Sequence, residues 1–214
     1  MRGGDRNRNR REAGYNPRMK LLALALTGSL VFGAASSNPA AKTLGSPSAA
    51  MRLELYCDFA SPLCKSLHEM VLPQLVKDYV DPRKAYVVFR YYPESSQGNQ
   101  LSREAAQLAA AAARIGRYED AADAIYRTQQ YWVVEGNVWQ HVTPTFTPNE
   151  QKRIQALVKE PAIAGDVQAD FNSGKMVPVL SVPTLVIIAK GKKESWTTWT
   201  SYPLLKSHLD QLVQ

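Results

Sequence analysis

The sequence predicts a mixed α/β protein, on three observations. Met51–Cys57 and Lys84–Tyr91 read as strands with a helical stretch between them. Residues 101–175 then read as helical throughout, and the chain closes as strand, strand, helix. A strand–helix–strand unit of this length pairs its strands in parallel, with a right-handed crossover.

Each element has its own signal. In Met51–Cys57, Leu53, Leu55 and Cys57 alternate with Glu54 and Tyr56, the period of a strand. Ser61-Pro62 reads as an N-cap followed by proline at the first helical position. Leu63, Leu67, Met70, Val71 and Leu75 follow at helical spacing, so the first helix is expected over Pro62–Val80, kinked at Pro73. Asp81-Pro82-Arg83 is a turn, and Lys84–Tyr91 is rich in β-branched and aromatic residues. Leu101–Ile115 is alanine-rich and strongly helix-forming. Tyr118–Val134 is amphipathic, Thr147-Pro148-Asn149-Glu150 is a capping box opening a helix to about Lys159, and Ile163–Gly174 gives another. Pro183–Ala189 is continuous and apolar, as in a central strand. Lys190-Gly191-Lys192 turns the chain into a partner strand over Glu194–Thr200, and Tyr202–Val213 is the last helix.

A chain of 214 residues can bury one good core. Its net charge is +7, but residues 1–20 carry seven Lys/Arg against Asp5 and Glu12, which leaves +2 for the rest. The basic run Arg6–Arg11 is compatible with nucleic-acid contact. It equally forms the n-region of a signal peptide, or an over-extended start with Met19 as initiator. The second reading is favoured because the uncharged apolar run Leu21–Phe32 and the small residues Gly33-Ala34-Ala35 follow it. That run is shorter than the ~20 residues of a spanning helix, so it is expected to be cleaved rather than to remain as an anchor. The expected organisation is therefore a signal peptide over 1–35, a Ser/Pro/Ala/Gly-rich flexible linker over 36–50, and one folded domain over 51–214. Export implies a periplasmic or secreted protein in an oxidising compartment, where the two cysteines can pair.

The stretch Asp58-Phe59-Ala60-Ser61-Pro62-Leu63-Cys64 carries the chemistry. It resembles the DsbA-like branch of the thioredoxin superfamily, whose members read Asp-aromatic-x-Cys-Pro-x-Cys at this place. Val182-Pro183-Thr184-Leu185-Val186 is similar to that family's cis-proline loop. The resemblance covers residues 51–214 and implies a thioredoxin fold of the DsbA-like type: β-α-β, a helical insertion, then β-β-α. It also implies that Pro62, Leu63, Val182 and Pro183 hold substrate, the backbone before Pro183 pairing with an extended peptide. The implied partners are extended polypeptides or cysteine-containing client proteins.

This chain departs from the family's pattern at the decisive position. The second cysteine is kept as Cys64, while Ser61 stands where the attacking cysteine belongs. An alcohol cannot replace a thiolate in disulfide exchange. As a hydrolase nucleophile Ser61 would need a base, and His68, His141 and His208 are not placed to supply one; as an N-cap it needs nothing more. The family also often places a buried acid six residues before the first cysteine. Here that residue is Leu55, and Glu54 points to the other face. Cys64 sits at a helix N-terminus, which lowers a thiol's pKa, or it packs as a small buried residue. Cys57 shares the face of Leu55, so it can come within disulfide range of Cys64 or remain a separate buried thiol.

Three readings follow. The first is an exported relative of thiol-disulfide oxidoreductases with a degenerate Ser-Pro-Leu-Cys site, limited to monothiol or Cys57/Cys64 redox chemistry. The second is a non-catalytic peptide-binding or chaperone-like module. The third rests on the similarity of Asp58-Phe59-Ala60-Ser61-Pro62 to the opening of kappa-class glutathione transferases and isomerases, where the serine holds the glutathione sulfur; an export signal argues against it. There is no glycine-rich phosphate loop and no zinc spacing, so no cofactor, metal or nucleic-acid partner is expected, and membrane contact only through an uncleaved leader. Trp132, Trp139, Trp196 and Trp199 are candidates for a groove, though core packing is their commoner use.

Overall fold

The computed structural model describes residues 42–93, 100–177, 179–197 and 201–213. Its sheet has five strands in the order β1-β3-β2-β4-β5: β1 Thr43–Leu44, β2 Met51–Cys57, β3 Ala85–Tyr91, β4 Thr184–Ala189 and β5 Lys192–Trp196. β2 and β3 are parallel, as the strand–helix–strand spacing predicts, and β2–β4, β4–β5 and β1–β3 are antiparallel. All described residues fall in one packed unit, and among them no helix is long and apolar enough to cross a membrane.

Between β2 and β3 the chain is helical over 62–80, in four pieces: α1 Pro62–Ser66, a π-helical turn Leu67–Val71, α2 Leu72–Leu75 and a second π turn Val76–Val80. Pro73 cannot donate the bond an α-helix needs there. The wider π turn before it absorbs the mismatch, and the expected kink takes this form. Leu67, Leu72 and Leu75 are buried here and pack on Leu53, Leu55, Val87 and Leu185 of the sheet.

The helical insertion consists of α3 Gln100–Ala113, α4 Tyr118–Arg127, α5 Gln129–Glu135, α6 Val138–Val142, α7 Pro148–Val158 and α8 Pro161–Met176; α9 Tyr202–Leu212 closes the chain. The alanine run of α3 is a packing surface, with Ala105, Ala109, Ala111 and Ala112 at 2% exposure or less. The Thr147/Glu150 capping box is present with both reciprocal bonds.

Four expectations need correction. The 36–50 linker is not wholly a tether: Thr43–Leu44 pairs with Val88 and Val87, and Lys42 is tied to Asp170. The helix read over Tyr118–Val134 is two helices, because Thr128 leaves the helical conformation and turns its hydroxyl back to Ala124 O, 2.7 Å. A short helix was missed at α6, capped by Asn137 through Gln140 N. The last strand starts earlier than Glu194. Lys190 and Gly191 both have positive φ, making a two-residue hairpin turn that sets Lys192 opposite Ala189. Thr198–Thr200 lie outside the described residues. Of the tryptophans, Trp132 is a core residue at 0% exposure, its indole N–H donating to Ile125 O, while Trp196 packs on His208. Trp199 lies outside the described residues.

Candidate functional site

The site forms where β2 hands the chain to α1. Cys57 ends the strand, and its carbonyl accepts from Tyr92 N at 2.9 Å, so pairing with the β3 side continues to the last residue. The buried Asp58 then shapes the turn. Its Oδ1 accepts from Ala60 N at 2.9 Å and from the Ser102 hydroxyl, and its carbonyl accepts from Ser61 N at 3.1 Å. Gln129, at the start of α5, donates from Nε2 to Phe59 O (2.6 Å) and Ser61 O (3.1 Å). These bonds satisfy the backbone of a sharp turn that has no ladder partners.

Ser61 is the N-cap of α1. Its extended backbone, φ −78° and ψ 120°, lets Oγ accept from Cys64 N at 3.3 Å. Pro62 and Leu63 face outward on the first turn, with Leu63 66% exposed. Cys64, one position further round the helix, is 0% exposed.

Cys57 and Cys64 are both free thiols, and Cys64 is near enough to act on the Cys57 thiol. The disulfide considered from the sequence is therefore not formed in this structure, although its two sulfurs are neighbours. Burial pushes the Cys57 thiol well above its ordinary value, the neighbouring Cys64 raises it further, and Tyr126 acts in the opposite sense. Tyr126 is itself raised, by burial first and then by the two sulfurs. Its ring lies between Phe59 (centroids 4.9 Å) and His68 (4.8 Å). His68 Nε2 pairs with Asp123 Oδ1 at 2.6 Å, so the histidine supports an aromatic ring and does not address Ser61.

The second landmark also reaches the site. The Val182–Pro183 peptide is cis, and Thr184 Oγ1 donates to Ser181 O at 2.6 Å. Ser181, Val182 and Pro183 meet Leu63, Ser66, Leu67, Met70 and Val71 around a cleft of about 220 Å³, with Thr197 at its rim. All four residues expected to hold substrate lie in this neighbourhood, three of them lining the cleft and Pro62 beside Leu63.

The model of the thioredoxin family described as "Thioredoxin" matches residues 37–201. The chain belongs to this thioredoxin family. Among solved structures it is similar to alpha-DsbA1 of Wolbachia pipientis, at 18% identity and TM-score 0.67, covering 80% of this chain and 90% of that one. It is also similar to DsbA2 of Pseudomonas aeruginosa (22% identity, TM-score 0.62, covering 80% and 93%) and to oxidised BdbD of Bacillus subtilis (18%, 0.64, 80% and 92%). These likenesses make the fold a thioredoxin fold of the DsbA-like type. No curated protein matches the chain. Within this family fold, Tyr126, Gln129 and Ser102 are site residues that the sequence did not single out. They sit on helices of the insertion, and no local pattern marks the one side chain on a helix that reaches a distant turn.

Proposed function

We propose that this thioredoxin-family protein is exported and engages extended, cysteine-bearing polypeptides at the cleft between Leu63 and Pro183, with its thiol chemistry confined to Cys57 and Cys64. One observation carries the reading: Ser61 occupies the cap position, while the chain's two thiols are the half-buried Cys57 at the end of β2 and the buried Cys64 on α1. A serine there cannot form the first mixed disulfide with a client. The retained pair would still cycle between dithiol and disulfide, Cys64 being near enough to act on the Cys57 thiol.

The cleft supports the client side of the proposal. Leu63 and Met70 are 66% and 61% exposed, and large apolar side chains at this exposure are what an apolar peptide segment can cover. Main-chain groups at Val182 would pair with an extended client, as the family resemblance implies. The same exposed side chains, beside a fully buried Cys64, favour a second reading in which the protein only binds peptide. A glutathione enzyme built on Ser61 has less support, since the described residues that line the cleft include no basic side chain to hold the tripeptide's carboxylates. Export rests on the Leu21–Phe32 run and its small-residue boundary, and intact mass of the mature protein checks it.

Insulin reduction tests the assignment. Wild type is expected to be inert, and Ser61→Cys to acquire measurable activity, below that of a protein with an acid at Leu55's position. The same substitution with Cys57→Ala removes competition for Cys64. Activity in wild type would refute the account of Ser61. Inert but folded variants would move the assignment to the peptide-binding reading.

A further inference from the structure

A second cleft, of about 310 Å³, lies where the helical run 62–80 meets α4 beside β1 and β3. It shares no lining residue with the cleft between Leu63 and Pro183. Small-molecule sites typically occupy ~300–1,000 Å³, and this cleft reaches the lower end of that range.

One part of its lining is apolar. Leu72 and Val76 come from the helical run, and Leu72 is buried. Phe89 of β3 and Tyr118 of α4 also line it, their ring centroids 5.1 Å apart and their planes tilted by 39°. Two adjoining rings suit a flat aromatic body, and aromatic rings also attract a nearby cation.

The rest of the lining carries charge. Glu119 and Asp123 stand four residues apart on α4, one turn from each other on the face that borders the cleft. Both are exposed, and like charges at this spacing oppose the helix that holds them. Their surroundings leave that charge largely uncompensated. Arg117 pairs with Asp120 and Glu150, and Glu119 has no ion-pair partner among the described residues. Asp123 meets His68 at 2.6 Å, a partner that is a cation only when protonated. An acid in the first turn of a helix suits the helix dipole, which accounts for Glu119 alone; Asp123, one turn further on, lies beyond that effect.

We propose that this cleft binds a small aromatic amine in its ammonium form, the ring packed on Phe89, Tyr118 and Leu72 and the charge set between Glu119 and Asp123. Charge complementarity selects this occupant. An anion would meet two carboxylates, and a neutral ligand would leave their repulsion in place. An ammonium between them removes it. The proposal stands apart from the thiol and peptide readings, because it uses none of their residues.

The test titrates isotope-labelled protein with phenethylamine and follows amide chemical shifts, with calorimetry for affinity. The amine should move the amides of Leu72, Val76, Ala122 and Asp123 to saturation and leave those of Leu63 and Val182 in place. Phenethyl alcohol, its uncharged counterpart, should bind about tenfold more weakly, since one exposed ion pair is worth up to about fivefold and the amine makes two. Phenylpropionate, the anionic counterpart, should not bind. Glu119→Gln combined with Asp123→Asn should bring the amine down to the affinity of the alcohol. Both positions are exposed, so the fold should persist, and circular dichroism checks this. Salt supplies a second measurement on the unaltered protein: about 0.5 M sodium chloride should weaken the amine severalfold and leave the alcohol unchanged. The assignment is overturned if the amine moves none of these amides, if amine and alcohol bind equally, if neither the double variant nor salt weakens the amine, or if the shifts fall at Leu63 and Val182. It is equally overturned if an acetylated Phe-Lys peptide moves these amides and the amine does not, since the occupant would then be a polypeptide side chain.

Discussion

On one face of the sheet Leu53 and Leu55 meet the helical run 62–80, and Cys57 continues that face toward Tyr126. On the other, Glu54 and Tyr56 meet Arg90 and α8. Glu54 Oε1 accepts from Arg52 (2.5 Å) and Arg90 (3.0 Å), Arg90 also reaches Asp170 (2.9 Å), and Tyr56 shares a 3.1 Å bond with Ser173. Both faces are buried, but the ion network lies on only one of them. Burial opposes the charge on Glu54, yet the hydrogen bond and charge of Arg90, with Arg52 and Lys193, outweigh it and hold the carboxyl below its ordinary range. On the thiol face none of the groups that act most on Cys57 among the described residues is a cation, and burial is the first cause raising it, as for Tyr91, Tyr118 and Tyr126. The comparison separates two ways of burying polar groups: pairing charges, or suppressing them. The candidate chemistry lies on the side that suppresses them, opposite the ion network of Glu54, Arg90 and Asp170, and the charge that does act on Cys57, Asp58, is of the sign that raises it.

The largest break in this contrast should come from Asp170→Ala. Asp170 binds Arg90, Lys42 and Tyr91 N at 3.2 Å, and it is 3% exposed. Removing it takes the ion-pair partner from Lys42 and leaves Arg90 with Glu54 alone. The expected loss is about 3 kcal/mol of stability, read from urea denaturation. The same substitution should leave alkylation of Cys57 unchanged, since Asp170 is not among the groups acting on it.

Extremes of pH should distinguish the faces next. Glu54 titrates below its ordinary value when folded, so its contribution is present above that value and is lost as pH falls through the lowered one. The thiol and phenols titrate above theirs. Their contribution is complete below the unfolded values, about 8.5 for a thiol and about 10 for a phenol. It declines as pH rises past them, because the unfolded chain deprotonates first. Reduced protein should therefore lose stability on both sides. The alkaline loss should shrink in a Cys57→Ala/Tyr126→Phe variant and the acid loss in Glu54→Gln, both followed by thermal melts across pH.

The smallest effect sharpens the comparison by its sign. The Tyr91 hydroxyl is buried with no hydrogen-bond partner among the described residues. Tyr91→Phe removes this unsatisfied buried group and should raise stability by up to about 1 kcal/mol, again from urea denaturation. A loss would mean that the hydroxyl has a partner in solution.

Much of this architecture was legible in the sequence because it is written in local signals. The alternation of Met51–Cys57, the Ser61-Pro62 cap and the Thr147/Glu150 box each specify their element within a few residues, and each is present. The opposite orientations of Leu55 and Glu54 follow from the period of a strand alone. The misreadings also have local causes. Thr128 breaks a helix through a bond to its own preceding turn, and Lys190 takes a positive φ that only its neighbour Gly191 advertised.

What the sequence determined by itself is the α/β order, the turn that carries Ser61, and the presence there of an alcohol and not a thiol, since these depend on residue type and short-range spacing. What only the tertiary structure decided is the partnership around Cys57. Cys64 lies a turn away in the chain, but Tyr126 stands 69 positions on, beyond a strand and a long helix. Whether a buried thiol meets a donor, a cation or nothing depends on how distant helices pack over the end of β2. That packing is set by the summed fit of many apolar side chains, which no single motif encodes.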